Sequence, residues 1–422
     1  MMPFDPQLIP QYKNNLLIAA CGPILSTEEL LERLTYSPDE PANLDSMPVE
    51  IRKHQMMTTR LLHIPSKSGI EVAQSIDLML RQGYVNRNPK EPTTWNAVYN
   101  DLSFKLAPEI PPLASYICGV SGSGKSMSVE RPLQFIQQVV THQNFPHMLS
   151  PFTQLVWIKV DAPSSGKSAD LAIALMRETD RLLNSTHFSK FYNAATKYAN
   201  GAHLLDIWLA KAKTHFLGLL VIDEVSNLFK IESLKKRMQK SATPEKLPLR
   251  IVDDETIKFC INLNNTSSIP LIAIGTPDGM QAFATRLSTT ERLITGGYHE
   301  FLNAKSSKDS YFKKYMMNTL FKYQWFPEKL QNTDEIIDLI YRLSAGVPRI
   351  YIALWYLAHR SAFDRGAKGL QAEDFLHASN TYMAPLRPAI SALISNQPNM
   401  LSVYEDLLPR DDAFWASLFA VK

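Results

Sequence analysis

Gly119 to Ser126 reads GVSGSGKS and fits G-x-x-x-x-G-K-[ST] at every fixed position. Glycines let consecutive backbone N–H groups turn inward, and a following helix contributes its partly positive N-terminus. A lysine placed there completes a cradle for phosphate oxygens. On this reading Gly119, Ser121, Gly122, Ser123, Gly124, Lys125, Ser126 and Met127 hold a nucleotide, Lys125 reaches its terminal phosphates, and the Ser126 hydroxyl faces Mg2+. A Gly/Ser turn that merely contains a lysine is the alternative, and the flanks argue against it. Leu113 to Cys118 is a short apolar run of strand type, and Met127, Val129, Leu133, Ile136 and Val140 recur at roughly helical spacing.

A second constellation lies a hundred residues on. Leu217 to Glu224 reads LGLLVIDE, a continuous apolar run of the kind that forms a strand buried on both faces. Its two acids fall at the carboxyl end, where an open α/β sheet places its ligands. Asp223 then suits the Mg2+ shell, and Glu224 suits the polarising of a water for attack on a γ-phosphate. Pro270 to Gly275 is a further buried strand, and Thr276 at its tip can position that water. Arg286 and Arg292 are helix-surface arginines unless copies of the chain form a ring, where either reaches a neighbour's nucleotide. Arg349, in GVPR, stands near a helix start with proline in the first turn, able to point at phosphates or simply part of a capping turn.

These groups need a substantial core to hold them. The 422 residues are 45% hydrophobic and 20% charged, enough for one large domain or two to three modules. A formal net charge of +3 does not announce a nucleic-acid binder, so any DNA surface must be a local concentration of lysine and arginine. Phe229 to Arg250 holds one: Lys230, Lys235, Lys236, Arg237, Lys240, Lys246 and Arg250 against Glu232 and Glu245. Lys235, Lys236, Arg237 and Lys240 are the candidates for contact with a DNA backbone, a solvated charged face being the alternative. Three widely spaced cysteines, Cys21, Cys118 and Cys260, argue for a reducing, cytoplasmic setting without a disulfide framework or zinc site. No signal peptide is read at the N-terminus, and Leu16 to Cys21 is too short an apolar run to span a membrane.

Along the chain, residues 1–69 read as a proline-rich arm with a helix at Thr27 to Leu34, followed by a helix at Ile70 to Arg81. The Gly83 to Pro89 stretch is either the wall of a base pocket or a plain turn. Leu155 to Val160 is predicted as a strand, Ala169 to Leu183 and Leu204 to His215 as helices, and His299 to Leu302 as a fifth strand. Helices are predicted at Tyr311 to Leu320, Asp334 to Leu343, Val347 to Arg360 and Ala372 to Tyr382. The tail beyond Pro409 pairs acids with aromatics, as a short docking peptide does, or covers the protein's own surface.

Taken together, GVSGSGKS, LLVIDE, IGTP and GVPR resemble an AAA+ ATPase of the ring-forming kind. LMLRQGYVNRNP, LVWIKVD, GLLVIDEVSNL, LIAIGTP, LSAGV and MAPLRPAISAL with the following VYEDLLP are similar to the TnsC regulators of Tn-seven-like transposons, relatives of TniB and MuB. The resemblance runs from about Tyr12 to Pro409. It implies an α/β AAA+ P-loop NTPase with a parallel five-stranded core sheet over residues 70–305, a helical lid over 306–386, and a C-terminal segment and short tail over 387–422. It implies an ATP-dependent assembly, ring or filament, on double-stranded DNA that links a target-selection protein of TniQ or TnsD type to the transposase. Lys125 and Ser126 would bind phosphate and Mg2+, Asp223 and Glu224 would be the Walker B pair, Thr276 the sensor, Arg349 the lid arginine, and Arg292 or Arg286 the finger in trans. The basic segment after Glu224 looks longer than in the best-known relatives, and the chain stops soon after Pro409, where the longest relatives continue with a transposase-contacting region. The rival readings are an AAA+ remodelling or loader ATPase that ignores DNA and a monomeric phosphotransferase. No DEDD-type acid cluster points to cutting or joining of DNA.

Overall fold

The main sheet is built from β1 (Ala114–Gly119), β2 (Trp157–Asp161), β3 (Leu219–Asp223), β4 (Leu271–Gly275) and β5 (Gly297–Phe301), in the order β2-β3-β4-β1-β5. The structure is a computed structural model, and it describes residues 3–99, 111–149, 151–193, 200–230, 250–251, 254–263, 267–277, 279–280, 287–401 and 404. The pairings of β2 with β3, β3 with β4 and β4 with β1 are parallel, with Trp157 opposite Leu219, Leu220 opposite Leu271, and Ala114 opposite Leu271. β5 runs the same way, since Ala114 near the start of β1 accepts from Gly296 and Gly119 at its end lies against Phe301. Residue chemistry separates centre from edge. Every residue of β1, β3 and β4 is buried, whereas β2 and β5 alternate between more and less covered positions. Central strands of a parallel sheet are covered on both faces and are therefore mostly apolar; edge strands need not be.

By Cα proximity the chain divides into two units, the first Met1–Glu29, Gly69–Cys118 and Lys125–Glu300, the second Leu30–Ser68, Gly119–Gly124 and Phe301–Lys422. In the first, α1 (Lys67–Val85), α2 (Lys125–Gln134), α3 (Ser168–Leu183) and α4 (Gly201–Thr214) accompany the sheet. Leu171, Leu175 and Met176 of α3, Leu205 and Trp208 of α4, and Ile158, Leu220 and Ile222 of the strands share one buried cluster. Trp208 keeps its polar edge satisfied by donating from Nε1 to Thr179 Oγ1 at 2.8 Å. Asn184, which tolerates the left-handed region, closes α3 at φ 48°, and Asn200 opens α4 by accepting from the Ala202 N–H.

The N-terminal residues are fastened to the same unit by hydrogen bonds. Asn15 donates to the Tyr84 carbonyl at 2.8 Å, and Arg81, 1% exposed, donates to the carbonyls of Ile18, Gly22 and Pro23 while pairing with Asp77. Tyr84 and Arg87 face inward: the Tyr84 hydroxyl donates to the Phe216 carbonyl, and Arg87 donates to those of Gly83 and Leu217. The Arg87 guanidinium lies 4.8 Å from the Tyr84 ring centroid. Both side chains thus bond to the protein's own backbone.

The helix after the glycine loop ends at Gln134 instead of running on toward Val140, because Pro132 cannot donate and the next N–H groups, of Phe135 and Ile136, fall back on carbonyls three residues behind. Val139–His142 instead pairs antiparallel with Phe152–Leu155. The strand expected over 155–160 is accordingly two strands, with Val156 the point at which the chain changes partners.

In the second unit α5 (Asp334–Ser344), α6 (Pro348–Asp364), α7 (Ala372–His377) and α8 (Arg387–Ser395) make up the helical C-terminal region. Phe312, Tyr351, Leu354, Trp355, Phe375 and Leu44, Met56 and Leu62 from the earlier chain belong to its core. Arg52 donates to the Trp325 carbonyl, Tyr311 to that of Ile64 and Tyr323 to that of Pro38. Tyr311–Met317 is wound as a π-helix, which the 3.6-residue pattern does not distinguish from an α-helix. No helix among the described residues is long and apolar enough to cross a membrane.

Candidate nucleotide site

The glycine loop takes the backbone path its composition requires. Gly122 at φ 81° and Gly124 at φ 101° occupy conformations that a side chain makes costly. The Ser123 N–H donates to the Val120 carbonyl at 3.2 Å, closing the turn. Ser123 is 9% exposed, yet its Oγ has no hydrogen-bond partner. A Cβ on Gly124 would meet nothing within 4 Å. An orphaned buried hydroxyl beside open space fits an oxyanion ligand, which supplies the missing acceptor. α2 opens at Lys125, so Lys125, Ser126 and Met127 are its first three residues and their N–H groups lack intrahelical carbonyl partners.

Arg349 lies against this loop. Its N–H donates to the Gly122 carbonyl at 3.2 Å, and a Cβ on Gly122 would come within 2.9 Å of the Arg349 Cβ. The local sequence sets this up: Ala345 at φ 52° and Gly346 at φ 66° turn the chain after α5, and Pro348, with no N–H to satisfy, starts α6. Glycine at 122 thus serves both its own φ and the close approach of the α6 start.

In the first unit Asp223 and Glu224 stand at the carboxyl end of β3. Asp223 is 4% exposed, and its Oδ1 accepts from the Glu224 N–H at 2.8 Å. Glu224 is exposed and has φ 53°, a left-handed conformation that costs a glutamate about 1–3 kcal/mol. Thr276 follows the neighbouring strand β4 and is 8% exposed, with the Tyr116 hydroxyl donating to its carbonyl at 3.4 Å. The donor set of a serine hydroxyl and one carboxylate is all oxygen, which suits Mg2+, an ion that keeps waters and takes its remaining ligands from phosphates. The structure therefore brings Asp223, Glu224 and Thr276 to one edge of the sheet.

Arg292 stands elsewhere. It is exposed near the end of the Leu287–Leu293 helix, its carbonyl accepts from the Thr295 hydroxyl, and Thr295 Oγ1 accepts from the N–H of Ala114, the first residue of β1. That is the amino edge of the parallel strands, opposite the acids of its own chain. Arg286 and the basic candidates Lys235, Lys236, Arg237 and Lys240 lie outside the described residues, as does the tail beyond Pro409.

One side chain escaped the sequence reading. Lys159 on β2 places its Nζ 2.8 Å from Glu130 Oε1 and 3.2 Å from Asp223 Oδ2. Burial disfavours its ammonium, but hydrogen bonds and charge from Glu130 and Asp223 outweigh it, and the Lys159 pKa is raised. The signal was present in WIKVD, a lysine set between Ile158 and Val160 of a strand, although its partners Glu130 and Asp223 follow only from strand order.

Residues 112–282 match the family model of the AAA domain. No protein of curated function matches the sequence. Among solved structures, the ORC2 protein of Aeropyrum pernix in its ADP form is similar at 15% identity and a TM-score of 0.36, over 64% of this chain and 63% of that one. The chain thus spans less than two thirds of that relative. Drosophila ORC bound to DNA gives 14% identity and a TM-score of 0.38 over 81% and 76% of the two chains. The Thermotoga maritima RuvB Holliday junction branch migration motor gives 16% and 0.33 over 74% and 75%. Likeness at this level says nothing about substrate or partners. The glycine loop, the acids at the edge of a parallel sheet and the family match together make residues 112–282 an AAA-type ATPase domain.

Proposed function

We propose that this chain is an ATP-dependent DNA-binding regulator of transposition. It assembles on double-stranded target DNA as a ring or filament and links a target-selection protein to a transposase, and ATP hydrolysis controls disassembly. The observation that carries the switch is the hydrogen bond from the Arg349 N–H to Gly122, which ties the start of a helix in the C-terminal region to the loop that holds phosphate. The transposition role is supported by the resemblance of GYVNRNP and the MAPLRPAISAL segment to TnsC regulators, and the DNA contact by the basic stretch from Lys230 to Arg250.

In this reading the backbone of Gly119, Ser121, Gly122, Ser123 and Gly124 and the Lys125 ammonium bind the phosphates, and the Ser123 hydroxyl gains a partner there. Bound Mg2+ neutralises charge on the β- and γ-phosphates. Ser126 and Asp223 hold it. Glu224 orients the attacking water and accepts its proton, with Thr276 placing that water. Arg349 senses the phosphate from the helical side. Because Arg292 stands away from its own acids, it serves a neighbour's nucleotide, with Arg286 the other candidate.

ATP turnover measured with and without duplex DNA across a salt series tests the DNA part. The expected result is a rate that rises with DNA and loses that response as salt increases. Turnover indifferent to DNA at every salt concentration, with no DNA binding, would assign the protein to the remodelling or loader class instead.

A further inference from the structure

Register-matched residues of parallel strands share a face, and Asp161 of β2 is opposite Asp223 of β3. Lys159, two residues before Asp161, projects to that same face. Its Nζ lies 2.8 Å from Glu130 Oε1, 3.2 Å from Asp223 Oδ2 and 3.7 Å from Asp161 Oδ1. One ammonium therefore serves three carboxylates drawn from α2, β2 and β3. Asp223 has little other shelter for its charge, since its side chain is 6% exposed, whereas Glu130 is 40% and Asp161 72% exposed and both are well hydrated. Its two oxygens are divided: Oδ1 takes the Glu224 N–H and Oδ2 takes Lys159.

We propose that Lys159 is an exchangeable counter-ion for Asp223, a positioning residue that competes with Mg2+ for Oδ2 and withdraws to Glu130 and Asp161 when the nucleotide arrives with its ion. The inference rests on the reading of Asp223 as the Mg2+ carboxylate. Its consequence is that Glu130, which touches neither ion nor nucleotide in this scheme, sets the Mg2+ concentration at which the switch engages. Glu130 lies four residues after Ser126 on α2, on the same side of that helix. A stronger hold by Glu130 draws the ammonium off Asp223, and a weaker one leaves it there. A merely structural ion pair predicts something different, because loosening α2 from the sheet by either partner would weaken Mg2+ binding in both cases.

The test is a free-Mg2+ titration of the binding of a fluorescent ATP analogue to the full chain, without turnover as readout, for the wild type, K159M, K159R and E130Q. K159M is expected to lower the half-saturating Mg2+ by about three- to tenfold, the scale of a partly exposed charge pair. E130Q is expected to raise it, and K159R to stay near the wild type. A K159M threshold that is unchanged or higher, or an E130Q threshold that falls, overturns the counter-ion role while Mg2+ dependence in the wild type leaves the Asp223 assignment standing. Analogue binding that ignores Mg2+ in the wild type overturns both.

Discussion

Glu224 combines exposure, a left-handed backbone and a hydrogen bond from its own N–H to Asp223. Its carboxylate is exposed and the backbone bond to Asp223 does not use it, so removing its charge should affect chemistry and little else. E224Q is expected to lower ATP turnover by about 100-fold or more while nucleotide binding persists and residence on DNA lengthens. Rapid dissociation with hydrolysis intact would contradict the assignment, and turnover assays paired with DNA dissociation kinetics read both. Gly124 makes the complementary case on the binding side. At φ 101° an alanine has space for its Cβ but pays for the backbone, about 1–3 kcal/mol, so G124A should weaken nucleotide binding about tenfold or more in a titration. The loop and acids were readable from sequence because their chemistry is local, each set contiguous in the chain. Lys159 was not, since its partners Glu130 and Asp223 lie 29 and 64 residues away (159 − 130 and 223 − 159) and meet it only through strand order.

At the level of elements, β1, β3 and β4 were legible as continuous apolar runs, and the start of α6 as proline after a turn. The failures share one physical cause, which is that periodicity does not record hydrogen-bond supply. Val140 has the right spacing for α2, yet Pro132 withdraws a donor and the chain pairs as a strand instead. Tyr311–Met317 has an apolar pattern that cannot report the wider π turn. His359 on α6 gives this scale its own prediction. It is fully buried, accepts from the Trp325 N–H at Nε2 and so donates from Nδ1 to the Trp355 carbonyl. Burial pushes its pKa down to about 4, with the nearby Lys329 charge acting in the same direction and the Trp355 hydrogen bond and Asp374 opposing. The unfolded chain takes up a proton near pH 6.5 while the folded one stays neutral, so stability is full above about 6.5 and is lost as pH falls toward about 4. The loss amounts to on the order of 3 kcal/mol. Burial also lowers the pKa of His215 and His299, so denaturant unfolding across that window should show a shallower slope in H359Q than in the wild type; equal slopes would place the titration elsewhere.

For the whole molecule, the central claim is that a nucleotide shared between copies of the chain fastens them around a duplex. Arg292 belongs to the amino edge of the sheet, opposite Asp223 and Glu224, and in the proposed assembly it serves another copy's site. If so, R292A should leave nucleotide binding in place while turnover falls and ceases to depend on protein concentration. The most direct measurement is electron microscopy of the purified chain with duplex DNA, Mg2+ and saturating ATP, read alongside particle mass. Rings or filaments enclosing the duplex, absent without ATP, are the predicted result. Single copies on DNA under saturating ATP would contradict the account.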